Sequence, residues 1–405
     1  MKRIVYLHQY FRAPHMSGGT RSYEFARRLA AHGYDVHVIT SDGRGESPLG
    51  WRTEAIEGFS VHWLGIAYSN KMSFSRRIVA FVLFAVRSCW RARSLHGDII
   101  FATSTPLTII IPALVAAAFR KTPIVFEVRD LWPEIPIAMG VLRNPMAIWG
   151  ARWMERIAYR RSSHIIALSP GMKAGVVSSG IDPDHVSVIP NGADLAMFDP
   201  KTTQSKDWSE SCPLAVGKKL VVYCGTLGLV NDVGYLVDVA ESMQSISQEV
   251  VFLIVGDGLD KQAIQIRAEQ VGVLNQSVFL LPSVPKAEVP QILASAAFCV
   301  STVMKLKELE NNSANKFFDA LAAGKPIAIN HNGWQLDLLI GSGAGIGLPV
   351  DDPTSAAEIL WNVLKDSSRL ESMGRAARQL AEDHFDRDCL TGELIEIIQK
   401  VGNDY

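Results

Sequence analysis

The chain has no pair of cysteines spaced for a metal or a redox switch. Its five cysteines, Cys89, Cys212, Cys224, Cys299 and Cys389, are scattered and odd in number. That usage argues for reduced, structural thiols and against a disulfide framework or a zinc site. An excess of one charge is missing too. Forty Lys and Arg against 41 Asp and Glu leave a formal net charge of −1, so nucleic acid is not an expected partner. Long hydrophobic runs are lacking. The longest, Ile78–Val86 and Leu107–Phe119, fall short of the roughly 20 residues that span a bilayer. The opening Met1-Lys2-Arg3 leads into Ile4–Leu7, which has the length of a strand rather than of a signal core. A cytoplasmic chain is therefore expected. No GxGxxG, GxSxG or HExxH occurs, and no His/Cys/Asp cluster has metal spacing. Dinucleotide dehydrogenases, serine hydrolases and zinc proteases lose their signatures.

What remains is a foldable chain of 405 residues, 48% hydrophobic and 20% charged, long enough for two domains. Strands and helices alternate from Ile4–Leu7 onward, through Val36–Ile39, Val61–Trp63, Asp98–Ala102, Pro123–Val128 and His164–Leu168. The alternation restarts at Leu220–Cys224 and continues through Val250–Val255, Val278–Leu281, Phe298–Ser301 and Pro326–Ile329. This predicts an α/β chain with two Rossmann-like, doubly wound domains facing across a deep cleft. The boundaries read as residues 1–199 for the first domain, a polar linker over 200–219, and residues 220–387 for the second. A last helix over 388–401 is free to pack back onto the first domain.

The run Asn311-Asn312-Ser313-Ala314-Asn315-Lys316 carries most of the functional signal. Small polar residues open an amphipathic helix that stops at Gly324-Lys325-Pro326. Free amides and the positive end of a helix dipole suit a phosphate there. Asp319, about two turns in from Asn311, is placed to accept from a ribose. An ordinary capped helix ended by glycine is the plainer alternative. Gly18 and Gly19 allow close approach to a ligand, or form a simple turn. Gly225-Thr226 and Gly256-Asp257 are further strand-end turns, and the main chain at Val284 could meet a nucleobase edge. Charges at a strand end, Glu127, Arg129, Asp130 and Glu134, need partners or a ligand. Arg129 and Asp130 are candidates to hold sugar hydroxyls or phosphate and, with Lys316, are the expected catalytic residues, with Glu134 a further candidate; a local Arg–Asp salt bridge is the plainer alternative. Asn191 lies in a strong Asn-Gly turn. Asp386-Arg387-Asp388 reads as a helix cap rather than a metal-binding DxD. Ser73–Arg93 combines Arg76, Arg77, Arg87, Arg91 and Arg93 with Phe81, Phe84 and Trp90. Such a helix either lies on an anionic membrane or packs on the first sheet.

Together Ser17–Arg21, Glu127–Glu134, Ser169–Met172, Ile189–Asp194, Val255–Leu259 and Lys316–Pro326 make the chain resemble the family-4 retaining glycosyltransferases of GT-B fold. The likeness covers nearly the whole chain. Within that family it looks most like bacterial transferases of O-antigen, capsule or exopolysaccharide assembly, those similar to L-fucosamine (N-acetylfucosamine) transferases in particular. The resemblance implies transfer, with retention, of an N-acetylated sugar (L-FucNAc or GlcNAc-type) from a UDP-sugar. The implied acceptor is a polyprenyl-diphosphate-linked glycan at the inner face of the cytoplasmic membrane, and no metal is required. The family pattern Glu-x7-Glu falls on Asn311 and Asp319, so one carboxylate is replaced by an amide. Its Arg and Lys positions after the second domain's first strand fall on Thr226 and Asn231. Lys316 is placed to supply the missing charge to a leaving diphosphate. Arg129 stands where relatives carry a His before Asp130, and a guanidinium cannot act as a general base. A UDP-sugar epimerase or phosphorylase of the same fold, or a catalytically silent nucleotide-sugar-binding protein, are the competing readings.

Overall fold

Strands form here where runs of Val, Ile, Leu and Phe are buried on both faces, as parallel sheets covered by helices require. The computed structural model describes residues 1–43, 50–68, 72–118, 120–208 and 210–403. Among these residues the first sheet contains β1 (Arg3–Leu7), β2 (Asp35–Gly43), β3 (Trp51–Ile56), β4 (Phe59–Ala67), β5 (Ile99–Thr103), β6 (Ile124–Val128), β7 (His164–Ala167) and β8 (Val186–Val188). Their order is β3-β4-β2-β1-β5-β6-β7-β8. Neighbours run parallel except β3 and β4, which form an antiparallel hairpin. The hairpin turn holds Glu57 and Gly58 at φ 40° and 88°, the positive values that a two-residue hairpin loop favours.

The second sheet contains β9 (Lys219–Cys224), β10 (Val250–Val255), β11 (Val278–Leu281), β12 (Phe298–Ser301), β13 (Ile327–Ile329) and β14 (Gly345–Gly347). It is parallel throughout, in the order β11-β10-β9-β12-β13-β14. In each sheet the strand order reverses beside the first strand, at β1/β5 and β9/β12. Ligands of open α/β sheets bind at the carboxyl ends of strands at such points.

The first domain carries helices α1 (Arg21–Ala31), α2 (Phe74–Ser94), α3 (Ile110–Ala117), α4 (Glu134–Ala138), α5 (Pro145–Arg161) and α6 (Pro170–Ser178). The second carries α7 (Gly234–Gln244), α8 (Lys261–Gln270), α9 (Val289–Ala294), α10 (Asn315–Ala322), α11 (Trp334–Ser342), α12 (Pro353–Leu364) and α13 (Ser367–His384). A final helix, α14 (Arg387–Asn403), crosses back to the first sheet. Its Leu390, Leu394, Ile398 and Val401 join Ile4, Tyr6, Phe25 and Leu29 in one buried cluster, and the Lys2 ammonium donates to the Gly402 carbonyl at 2.6 Å.

The stretch 200–219 is not a free linker. Trp208, Cys212 and Ala215 are buried in the second domain's core, and the Trp208 indole donates to Ser295 Oγ at 2.9 Å. Ser209 lies outside the described residues. The expected linker is thus anchored to one domain, because its aromatic and thiol side chains outweigh its polar composition.

Candidate functional site

Segments that follow β1, β9, β10 and β11, together with the start of α10, enclose one cavity of about 510 Å³. Gly18 and Gly19, with Arg12 and Ser17, form its wall on the first domain. Gly225, Thr226, Asn231, Gly256, Asp257 and Val284 line the opposite side, with Ala314, Asn315, Lys316 and Asp319 completing it. These positions, expected from the sequence to hold a nucleotide sugar, are brought together.

The glycines are there for close approach. A Cβ on Gly19 would fall 2.6 Å from the Asn315 side-chain nitrogen of the other domain. One on Gly256 would lie 1.9 Å from the Gly225 carbonyl, and one on Gly258 would lie 2.0 Å from the Leu227 carbonyl. Backbone bonds from Gly225 N to Val255 O at 3.0 Å and from Leu227 N to Asp257 O at 3.0 Å tie the same two loops. At Gly256, then, the glycine is demanded by a neighbouring loop before any ligand is considered.

Lys316 sits in the first turn of α10, whose N-cap, Ala314, has no side chain to cap the amides. Its ammonium donates to Asn231 Oδ1 at 2.8 Å and to the Tyr223 hydroxyl at 3.1 Å, and lies 4.7 Å from the Tyr223 ring centre. No carboxylate pairs with it in these contacts. Burial therefore dominates, and pushes the lysine pKa down to about 7. The neighbouring Cys224 thiol is pushed up, chiefly by burial, to about 11. Asp319 is buried and pairs through Oδ2 with the Lys286 ammonium at 2.5 Å. Its Oδ1 has no hydrogen-bond partner. Among the described residues no group of three or more His, Cys, Asp or Glu could hold a metal.

Asn311, Asn312 and Ser313 do not line this cavity. They precede α10, and Asn312 Oδ1 accepts from Ala314 N at 3.1 Å in a local turn. The Asn311 carbonyl accepts from Ser169 Oγ at 2.7 Å, while its side chain presses on Gly171, where a Cβ would fall 1.8 Å from Asn311 Oδ1. Asn191 binds Ser313 twice, N to Oγ at 3.1 Å and Nδ2 to the carbonyl at 2.5 Å. The segment Asn311–Ser313 is thus a domain–domain contact, and Asn191 belongs to it.

The strand-end charges resolve differently from one another. Glu127 is fully buried and pairs with Arg21 at 2.9 Å and with Thr103 Oγ1 at 2.6 Å. Glu134 pairs with Arg152 at 3.2 Å on an exposed surface. Arg129 and Asp130 do not reach the cavity. Arg129 Nη1 lies 3.3 Å from His8 Nε2, and Asp130 Oδ2 accepts from Thr105 Oγ1 at 3.1 Å. Burial raises the Asp130 pKa, against the pull of Arg129 and Thr105. His8 is held well below the usual imidazole range by burial and by the Arg129 and Arg12 guanidinium groups.

Sequence reasoning missed His8, Arg12 and Lys286. His8 and Arg12 directly follow β1, the position where such sheets place ligands, and Arg12 lines the cavity. Lys286 lies in a turn read only for its main chain, yet the residue lines the same cavity.

Two facing α/β domains, with a helix start, a lysine and glycine-lined loops around one cleft, define a two-domain GT-B class of fold. Residues 18–192 match the Glycosyl transferase 4-like domain, and residues 204–380 match Glycosyl transferases group 1. The chain belongs to the GT-B glycosyltransferases. It is 24% identical, over 98% of its length and all of the relative's, to WcaI of Escherichia coli (strain K12), a candidate colanic acid biosynthesis glycosyl transferase. Among solved structures, Anabaena Alr3699/HepE in complex with UDP and glucose is similar with a TM-score of 0.73 at 18% identity, covering 99% and 100% of the two chains. WaaG, a glycosyltransferase involved in lipopolysaccharide biosynthesis, is similar with a TM-score of 0.67 at 14% identity, covering 98% and 97%.

Proposed function

We propose that this glycosyltransferase moves a sugar, with retention of configuration, from a UDP-sugar to a lipid-diphosphate-linked glycan in surface-polysaccharide assembly. The observation that carries this reading is the open start of α10 with the Lys316 ammonium, set in a cavity walled by both domains. An oxocarbenium-like transition state releases a diphosphate, and the charge that develops on it is met by amides and one lysine already in place. The leaving phosphate then takes the acceptor proton, so the proposed chemistry uses no metal. The donor sugar is proposed to be N-acetylated, in the manner of L-FucNAc or GlcNAc. UDP as the nucleotide is supported by HepE, whose complexes contain UDP and UDP-glucose. Assembly of a surface glycan is supported by WcaI and WaaG.

A lipid-linked acceptor calls for a protein that works at the membrane's inner face. No described helix is long and apolar enough to cross a membrane. Yet α2 leaves Val79, Val82, Val86 and Trp90 exposed, and α5 leaves Met146, Trp149 and Trp153 exposed. The charged residues of α2 are all arginines. Indole, aliphatic and guanidinium groups on two helices that both pack on α3 suit an anionic bilayer surface. Arg91 is turned inward instead, toward Thr53 Oγ1 at 3.0 Å and His62 Nδ1 at 2.7 Å.

A thermal-shift screen of nucleotide sugars tests the reading. One UDP-sugar is expected to raise the melting temperature selectively, and the same donor to be consumed only when a lipid-linked acceptor is added. Conversion of donor without acceptor would favour an epimerase. Binding without turnover on any acceptor would favour a silent nucleotide-sugar-binding protein.

A further inference from the structure

A lysine beneath a carboxylate that faces the nucleotide site is not required by the fold. Lys286 opens a turn after β11, its own main chain reaching across to the Met16 carbonyl of the first domain at 3.4 Å. The side chain is 7% exposed and that of Asp319 is 8% exposed. The ammonium bonds Asp319 Oδ2 at 2.5 Å and lies 5.0 Å from the Phe198 ring centre. Taking two charges out of water is costly, and replacing such a pair by apolar residues is often neutral or stabilising. Stability alone is therefore a weak reason for it. The other carboxylate oxygen points to a reason. Asp319 Oδ1 has no partner although it is buried at the wall of the cavity. A buried acceptor left unpaired costs free energy until a donor arrives.

We infer that Lys286 is a positioning residue. It binds one oxygen of Asp319 so that the other is fixed, charged and reserved for a single hydroxyl of the bound nucleotide's ribose, making the site selective for a ribonucleotide over its deoxy form. A carboxylate free to rotate would offer either oxygen to either ribose hydroxyl. Held by Lys286, it offers one oxygen in one direction, and a hydrogen bond to an ionised acceptor is about twice as strong as a neutral one. A site built to bond a hydroxyl rejects the analogue that lacks it, because the buried partner is then left unpaired. This inference rests on the cavity binding a uridine nucleotide.

The test compares UDP, 2′-deoxy-UDP and 3′-deoxy-UDP by calorimetry on the full chain. Wild type is expected to bind one deoxy form about tenfold or more weakly than UDP, the scale of one charge-assisted bond. Lys286→Met is expected to weaken UDP binding and to bring that ratio toward unity. In turnover its donor KM rises while kcat stays within a few-fold, the pattern of lost binding common to ground and transition states. Lys286→Gln is one atom shorter but keeps an N–H donor without the charge, and is expected to lower the ratio too. It carries the test if Lys286→Met does not fold. A folded variant that keeps the wild-type ratio overturns the role of Lys286. Wild type that binds UDP and both deoxy forms equally overturns the whole inference. Wild type that binds no UDP refutes instead the nucleotide reading beneath it.

Discussion

On the proposed reading, Lys316 makes nucleotide binding depend on pH, in a direction that follows from the burial of its ammonium. Burial lowers its pKa to about 7 in the empty site, so at pH 8 only about a tenth of the molecules carry the ammonium. A diphosphate placed beside it favours the charged form and raises that pKa. The anion thus binds the protonated site best. Affinity is fully present below pH 7 and is lost as pH rises, by up to tenfold, or about 1.4 kcal/mol, per unit until the pKa of the complex is reached. UDP between about pH 7.5 and about 8.5 is the suitable probe, because its phosphates no longer titrate there and its uracil N3–H does not yet ionise. Other groups near the ammonium stay silent in that window. Burial pushes Cys224 up to about 11, lifts Tyr223 higher still, and lowers His331. Calorimetry in two buffers of different ionisation heat is expected to show uptake approaching one proton per UDP at pH 8. Lys316→Met is expected to abolish both the slope and the uptake. In turnover, Lys316→Ala is expected to lower kcat about 10²-fold, as loss of one leaving-group donor does. A UDP dissociation constant that is flat across the window, or an unchanged slope in Lys316→Met, refutes the reasoning. Without ligand the sign reverses. The unfolded chain protonates this lysine more readily, so the empty protein gains stability from it as pH rises above 7. The difference in melting temperature between wild type and Lys316→Met is expected to follow that trend.

Two further outcomes follow from packing and surface. Gly256→Ala places a Cβ 1.9 Å from the Gly225 carbonyl, so chemical denaturation is expected to show a loss of about 1–3 kcal/mol or more together with weaker UDP binding. Gly234→Ala, which meets nothing within 4 Å, is the control. Sedimentation with anionic liposomes is expected for wild type and to be lost in the combined variant Arg76→Glu/Arg87→Glu/Trp149→Ala/Trp153→Ala; unchanged co-sedimentation of that variant removes the membrane-docking idea.

The central strands β10, β11 and β12 were legible because each is a nearly continuous apolar run, and they fall on their expected residues. β3 escaped because half its residues face solvent and no apolar run marks it. β14 is three residues with two glycines, and carries little strand signal. The polar run before α10 looked like the opening of a helix. Asn312 instead bonds Ala314 N with its own side chain, the local competition by which Asn keeps a backbone out of a helix. That one turn leaves Asn311 outside the cavity while Lys316 and Asp319, further along the same segment, line it. The charges after β6 were recognised as needing partners. Which partners could not be read from spacing, since Arg21, Thr103, Thr105 and His8 are distant in sequence and meet only in the fold.

Asn311 tests whether the domain contact and the donor site are one mechanical unit. Its carbonyl takes the Ser169 hydroxyl, its side chain rests on Gly171 at the start of α6, and Lys316 follows five residues later in the same segment. A methyl group on Gly171 cannot coexist with the Asn311 side chain as placed, because the two would be 1.8 Å apart. Either Asn311 rotates away or the segment shifts and carries the start of α10 with it. Asn311→Ala removes the colliding atoms. If the segment transmits the clash, Gly171→Ala lowers kcat with little loss of melting temperature, and the double variant Gly171→Ala/Asn311→Ala recovers most of it. The measured quantity is the coupling in that cycle, and residues in direct contact couple by about 0.5–3 kcal/mol. Additive effects, or a wild-type rate in Gly171→Ala, would mean that the Asn311 side chain does not transmit the clash and that the interdomain contact does not position the start of α10.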